Sequence, residues 1–334
     1  MPCFPLSVRA LDGGAASDIR SMGLEWMWPR NRQPVRIPDD GIRMTGAGDC
    51  HVLLFHGLTG APSEFGYIAH YLHRRSGFTV RCPRLANHGQ PLAVLARTRW
   101  QQLLGRARQD LSEAGAQARS SGQTLVVGGL SLGAVLSLLL AAESPTQVDG
   151  VICLSPTLFY DGWNVPWTHK LLRLVDYTPL KYFTYYREGP PYGFKDEHLR
   201  SRIAARYENR SLDDTADAAS LGYAHFPVRL FCEMRHLIEH CIHALPRVTA
   251  PLLLVQAEHD EATSPRNSLF IHEHAASKQK EMITLRDSYH VVTADLERAK
   301  VAAEMSRFCR SIALPGEASR NLSTEGIARA VAHG

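Results

Sequence analysis

Six short apolar runs, five of them followed directly by a segment of helical spacing, constrain this chain more than any other feature. His51–Phe55 is largely apolar, as a strand covered on both faces must be. Ser63–Arg75 follows, with Phe65, Ile68, Tyr71 and Leu72 three and four residues apart, the spacing of one helix face. The pairing recurs with Phe78–Cys82 and Trp100–Ala118, and again with Thr124–Val127 and Leu132–Ala142. This last helix is apolar almost all round and is expected inside the core. After the run Val148–Leu154, the pairing resumes with Pro251–Gln256 and Ser264–Ala275, then Glu281–Leu285 and Asp295–Cys309. Such alternation predicts an α/β chain: a mostly parallel sheet with helices on both faces.

Val35–Pro38 and Ile42–Met44, either side of Asp39-Asp40-Gly41, read as a short hairpin. Counting that hairpin, Val148–Leu154 is the sixth strand, and there the alternation stops. Residues 156–245 read as helices and loops, a helical cap inserted after the sixth strand and set over the carboxyl edge of the sheet. The expected division is an extension at 1–31, a core at 32–155 and 246–312, the cap at 156–245 and a tail at 313–334. A length of 334 residues suits one large domain with such an insertion.

Composition narrows the class by exclusion. A net charge of +4 with no long Lys/Arg block speaks against a nucleic-acid binder. The most apolar stretch, Ala134–Ala142, is nine residues and is interrupted by Ser137. Roughly 18 are needed to cross a bilayer, so no transmembrane span is expected. Met1–Gly23 lacks the apolar stretch of a signal peptide. The seven cysteines are scattered without a Cys-x-x-Cys pair, which argues for reduced thiols in a cytoplasmic protein and against a zinc site.

Gly129-Leu130-Ser131-Leu132-Gly133 lies between a strand and a helix. Glycines there allow a strained turn that lifts the serine clear of the sheet, beside a helix N-terminus that favours negative charge. The plain alternative is a glycine-rich turn with an incidental serine. His56-Gly57-Leu58-Thr59-Gly60 follows the first buried strand. An acyl-transfer serine needs two N–H groups aimed at the oxyanion, and the amides of Leu58 and Leu132 stand where they are expected. His56 reads as structural, because the base is expected much later in the chain.

A serine of this kind needs a base and a carboxylate that orients the base. Glu258-His259-Asp260-Glu261 follows the strand Pro251–Gln256, and Asp287-Ser288-Tyr289-His290 follows Glu281–Leu285. Asp260 is the expected acid, with Glu258 and Glu261 as neighbours that the spacing does not exclude. The loop Ser155-Pro156-Thr157 holds no acid. His290 is the expected base among 16 histidines because of its place after the last strand, and His88 is its rival.

Together these segments resemble the carboxylesterase and monoacylglycerol-lipase-like branch of the α/β-hydrolases. The likeness rests on Leu54–Gly60, on Cys82-Pro83-Arg84-Leu85-Ala86-Asn87-His88-Gly89 and on Gly129–Gly133. It continues in Val255–Asp260 and Ser288–Asp295. The family usually has Gly-His-Gly where this chain has Asn87-His88-Gly89, a departure in a structural loop. The resemblance implies a nucleophile at Ser131, an acid at Asp260, a base at His290 and oxyanion amides at Leu58 and Leu132. It implies hydrolysis of carboxylic esters through an acyl-enzyme, with no metal and no organic cofactor. Thioester hydrolysis and acyl transfer use the same groups, and a catalytically silent binding module shares the fold. An aspartate nucleophile, needed for dehalogenase or epoxide-hydrolase chemistry, is absent from the elbow.

The cap holds 11 of the chain's 27 aromatic residues between Phe159 and Phe194. Most are expected to pack the cap onto the sheet, and Phe159, Trp163 and Trp167 to meet an acyl group. Exposed rings among them would favour transient contact with a lipid surface. The second half, Asp196–Leu245, is more charged and reads as solvated helices. No acidic cluster in the cap suggests an amine site, which places peptide cleavage below ester cleavage.

Overall fold

A computed structural model describes residues 41–208 and 222–313. The extension at 1–31, the hairpin arm Val35–Pro38 with Asp39 and Asp40, Cys3 and all but the first residue of the tail lie outside the described residues.

Seven strands form one sheet: β1 (Gly41–Met44), β2 (Cys50–Phe55), β3 (Thr79–Pro83), β4 (Thr124–Leu130), β5 (Gly150–Leu154), β8 (Leu252–Ala257) and β9 (Lys280–Leu285). Their order is β1-β3-β2-β4-β5-β8-β9, with β1 antiparallel to β3 and every other pair parallel. The central strands β2, β4, β5 and β8 are buried almost throughout because helices cover both faces. Alternation along β2 splits its side chains: Leu53 and Phe55 enter one apolar cluster, Val52 and Leu54 the other.

The first cluster includes α3 (Trp100–Ser120) and α4 (Leu132–Glu143). The second is closed by α1 (Gly66–Ser76) and α9 (Arg298–Ala313), while α8 (Arg266–His274), alongside β8, gives Ile271 to the first. A short α2 (Leu92–Leu95) follows β3. In α4 every residue from Leu132 to Ala142 is buried, as its all-round apolar sequence predicts. The six described cysteines are buried and unpaired.

The cap leaves after β5. Its described residues hold two 3₁₀ turns, a five-residue α5 (Leu172–Asp176) and α6 (Glu197–Glu208). It also contains two strands that the sequence does not reveal, β6 (Tyr185–Arg187) and β7 (His225–Pro227), paired antiparallel. Three residues each are too few for a period of two to register.

The expectation of solvated helices over Asp196–Leu245 is corrected by α7 (Val228–Ala244). Its Leu230, Met234, Leu237, Ile238 and Cys241 are buried, and it packs on α4 as part of the first cluster. Charged residues on its outer face hide this stripe in an averaged composition. The aromatic expectation also changes. Trp163, Trp167, Tyr177, Tyr182, Phe183, Tyr185 and Tyr186 are exposed, so most of the cap's rings do not pack it onto the sheet.

Candidate active site

Ser131 stands between β4 and α4 with φ +56° and ψ −111°. A non-glycine residue in this region carries about 1–3 kcal/mol of strain that its surroundings must hold. Two close approaches hold it. A Cβ at Gly129 would lie 2.2 Å from the Gly133 carbonyl carbon, and one at Gly133 would lie 1.9 Å from the Phe55 carbonyl oxygen. Glycine at both places lets α4 start against the end of β2, and the serine is forced outward between them. The Ser131 amide donates to the Leu154 carbonyl at 2.9 Å. Its hydroxyl shares a 2.8 Å hydrogen bond with Thr157 Oγ1. Thr157 is buried in the loop after β5 that carries no acid.

The carboxyl ends of β8 and β9 bring Asp260 and His290 together. His290 Nδ1 lies 3.1 and 3.0 Å from the two Asp260 oxygens. Asp260 also accepts the Ala262 and Thr263 amides at 2.9 Å each, the Thr263 hydroxyl at 3.1 Å and Gln256 Nε2 at 3.0 Å. Such a set of donors fixes the carboxylate and aims it at the ring. Glu258 instead sits on the outside, 3.7 Å from Arg286. Glu261 is buried and accepts the His290 backbone amide at 3.0 Å, so it supports the loop and leaves the ring to Asp260.

The electrostatics are strongly acidic. Desolvation alone would lower the proton affinity of His290, but Asp260, Glu261 and Glu64 outweigh it and raise the imidazole to about 9. Desolvation raises Glu64 and Glu261 to about 7 and Glu188 to about 8, and Glu188 feels both of the others. Carboxyls from the turn before α1, from the loop after β8 and from the cap thus surround one imidazole. The sequence carries no signal for this convergence, because the three residues lie far apart along the chain. The cap supplies one member of this group, Glu188, and the core supplies the other two.

The loop His56–Gly60 lies beside Ser131: a Cβ at Gly57 would be 3.9 Å from Ser131 Cβ. The Gly57 carbonyl shares a peptide plane with the Leu58 N–H. That carbonyl faces His56 Nδ1 at 2.9 Å and accepts the Gly60 amide at 3.2 Å. In a trans peptide C=O and N–H point opposite ways, so these bonds fix the direction of the Leu58 amide. Leu132 opens α4, and its amide falls in the first helical turn, where no intrahelical acceptor exists. His88, the rival base, is buried beneath the same loop with Nε2 2.7 Å from the Leu58 carbonyl and Nδ1 3.0 Å from Ala86 O. Desolvation lowers its affinity for protons.

Of the three cap aromatics expected to meet substrate, Trp163 reaches the site's rim. Its Nε1 donates to the His259 carbonyl at 3.0 Å, and its ring meets Tyr289 edge-on at 5.7 Å. Phe159 turns to Phe270 and lies under Arg266. Trp167 is 73% exposed. Among the described residues no cluster of His, Cys, Asp and Glu has the arrangement of a metal site, and no helix is long and apolar enough to cross a membrane.

Known proteins place this geometry. The chain is 25% identical over 261 residues to a thermostable monoacylglycerol lipase of Bacillus sp. (strain H-257), spanning 78% of this chain and 90% of that protein. It is 23% identical over 270 residues to a carboxylesterase of Bacillus subtilis (strain 168), spanning 79% and 94%. The fold is similar to the crystal structure of a Paleococcus ferrophilus monoacylglycerol lipase, with a TM-score of 0.61 at 19% identity over 81% of this chain and 98% of that one. The family model for serine aminopeptidase S33 matches residues 47–297, from just before β2 to the residue ahead of the last helix, and the chain belongs to that α/β-hydrolase family.

Proposed function

We propose that this protein is a serine esterase that cleaves carboxylic esters through an acyl-enzyme on Ser131. The observations that carry the reading are the Asp260–His290 pair, held at 3.0–3.1 Å by a carboxylate with four further donors, and a serine strained out of its turn at the same edge of the sheet.

The Ser131 hydroxyl leaves Thr157 and turns to His290 Nε2. Its proton passes to that nitrogen as Oγ bonds the acyl carbon. The resulting oxyanion accepts the Leu58 and Leu132 amides, while Asp260 stabilises the imidazolium. Collapse returns the proton to the departing alkoxide. Water then repeats the sequence on the acyl-enzyme, with His290 again as base and Ser131 as leaving group. Trp163, at the rim, is the ring this reading places against the acyl chain.

Two finer statements accompany this reading. The unpaired thiols suit the cytoplasm. The exposed rings of the cap, with Lys170 and Arg173 exposed among them and Asp176 ion-paired to Lys181 and Arg235, suit transient contact with an anionic lipid surface. Flotation with anionic vesicles tests this contact, and equal recovery with neutral vesicles speaks against it.

The carboxyls of Glu64, Glu188 and Glu261 favour one further reading, cleavage of a substrate bearing a protonated amine. Aminoacyl p-nitroanilides assayed beside p-nitrophenyl esters separate the two. The primary test is hydrolysis of p-nitrophenyl esters from acetate to palmitate, with Ser131→Ala in parallel. The esterase reading expects a medium- or long-chain optimum and a loss of roughly 10⁶-fold in the variant. A sharp acetate preference removes the acyl role of the cap, and a variant as active as the wild type removes Ser131.

A further inference from the structure

Glu64 has so far entered only through its charge, yet its carboxyl also fills the inside of the loop beside Ser131. It sits in the 3₁₀ turn Pro62–Phe65, just ahead of α1. Oε2 accepts the Gly57 amide at 2.9 Å. Oε1 occupies the place of a side chain at Gly60: a Cβ there would be 1.8 Å away. A Cβ at Gly57 would lie 3.6 and 3.7 Å from the two carboxylate oxygens. Gly60 is thus the room that this carboxyl needs, while a Cβ at Gly57 would only touch it.

The other side of Gly57 is held as well. His56 Nε2 accepts the Leu85 amide at 3.1 Å, so the ring proton is on Nδ1, which donates to the Gly57 carbonyl. Both peptide planes flanking Gly57 are therefore tied, one by Glu64 and one by His56 with Gly60. A glycine has little intrinsic resistance to peptide rotation. Without the first tie, the plane bearing the Leu58 N–H is held from one side only.

We propose that Glu64 is a positioning residue: it fixes the Leu58 amide through Gly57, and its negative charge acts on His290 from the oxyanion side. The inference rests on the esterase reading for its reaction but on the loop geometry for its residue. The charged groups facing His290 are Asp260 and Glu261 from the loop after β8, Glu188 from the cap and Glu64 itself. Each carboxylate favours the imidazolium, and removing one lets the ring lose its proton at lower pH.

Two variants of the full chain test this. Glu64→Ala removes both the tie and the charge. Glu64→Gln removes the charge and keeps an oxygen that accepts the Gly57 amide. Two readouts are taken against pH: kcat/KM for a p-nitrophenyl ester, and the rate at which a fluorophosphonate labels Ser131. Glu64→Ala is expected to slow both about 10- to 100-fold, less than the roughly 10²- to 10³-fold lost when an oxyanion donor is removed outright. Glu64→Gln is expected to recover most of that rate on the alkaline plateau, with its acid limb moved to lower pH. An acid limb that coincides with the wild type's, or equal losses in both variants, overturns the proposal. Where Glu64→Ala fails to fold, the acid limb of Glu64→Gln decides alone. Labelling without ester turnover in the wild type removes the esterase reading and leaves the labelling profiles to judge Glu64.

Discussion

The core and the part of the cap that precedes α7 are held in opposite ways. The sheet is closed by apolar burial, with β2, β4, β5 and β8 covered on both faces. The cap before α7 is held at a few polar anchors, while α7 itself packs its apolar stripe on α4. Asp161 accepts the Ser264 amide and hydroxyl at 2.8 Å each and Asn267 Nδ2 at 3.0 Å. The Val291 amide donates to Gly193 O at 2.9 Å, and the Lys195 amide to Asp295 at 2.8 Å. Lys181 and Arg235 close on Asp176. Between the anchors the cap presents Trp167, Leu174, Tyr177 and Phe183 to solvent. Chemistry that needs fixed geometry therefore sits on strand ends of the core, and the anchors fall on the very loops that carry Asp260 and His290. The cap's outer face is left free to vary without moving those loops.

Substitutions can break that division. The largest effect is expected from Asp260→Asn, which should lower kcat about 10⁴-fold, as loss of the orienting carboxylate does elsewhere; Glu258→Gln, on the exposed side, should stay within about twofold. Steady-state kinetics on both decide which carboxylate orients the ring. Next comes Leu136→Ala in the fully buried α4, which should cost about 2–5 kcal/mol in chemical denaturation. The pH profile follows. With the imidazole raised to about 9, its neutral form is scarce at neutral pH, so kcat/KM should climb as pH rises from 7 towards 9. A profile level above pH 6.5 would contradict the acidic surroundings. The smallest effect is expected at the cap's outer face: Leu174→Ala, 67% exposed, should change stability by less than about 0.5 kcal/mol. A loss as large as that of Leu136→Ala would show that the cap's outer surface is covered in solution.

Local pattern made much of this legible. The strand expected at His51–Phe55 runs from Cys50 to Phe55, and the helix expected at Trp100–Ala118 runs from Trp100 to Ser120. The elbow was readable because Gly129 and Gly133 are required by contacts within five residues and with the adjacent strand. Asp260 and His290 were readable because each follows a strand whose neighbour in the sheet is parallel. In contrast, β6 pairs with β7 across about 40 residues, and α7 hides its apolar stripe behind charge. The exposure of Tyr177 and Phe183 went unforeseen, since an aromatic residue carries the same identity inside or outside a cap.

The sequence by itself determined the α/β alternation, the place of the insertion and the order of serine, acid and base, because each follows from periodicity and turn chemistry along the chain. The tertiary structure alone decided that Asp260 rather than Glu258 or Glu261 faces the ring, since one turn aims three adjacent acids in three directions. It alone set Glu64 beneath Gly57 and Thr157 against Ser131. These are contacts between side chains on different loops, and their directions exist only once the sheet has brought the loop ends to one edge.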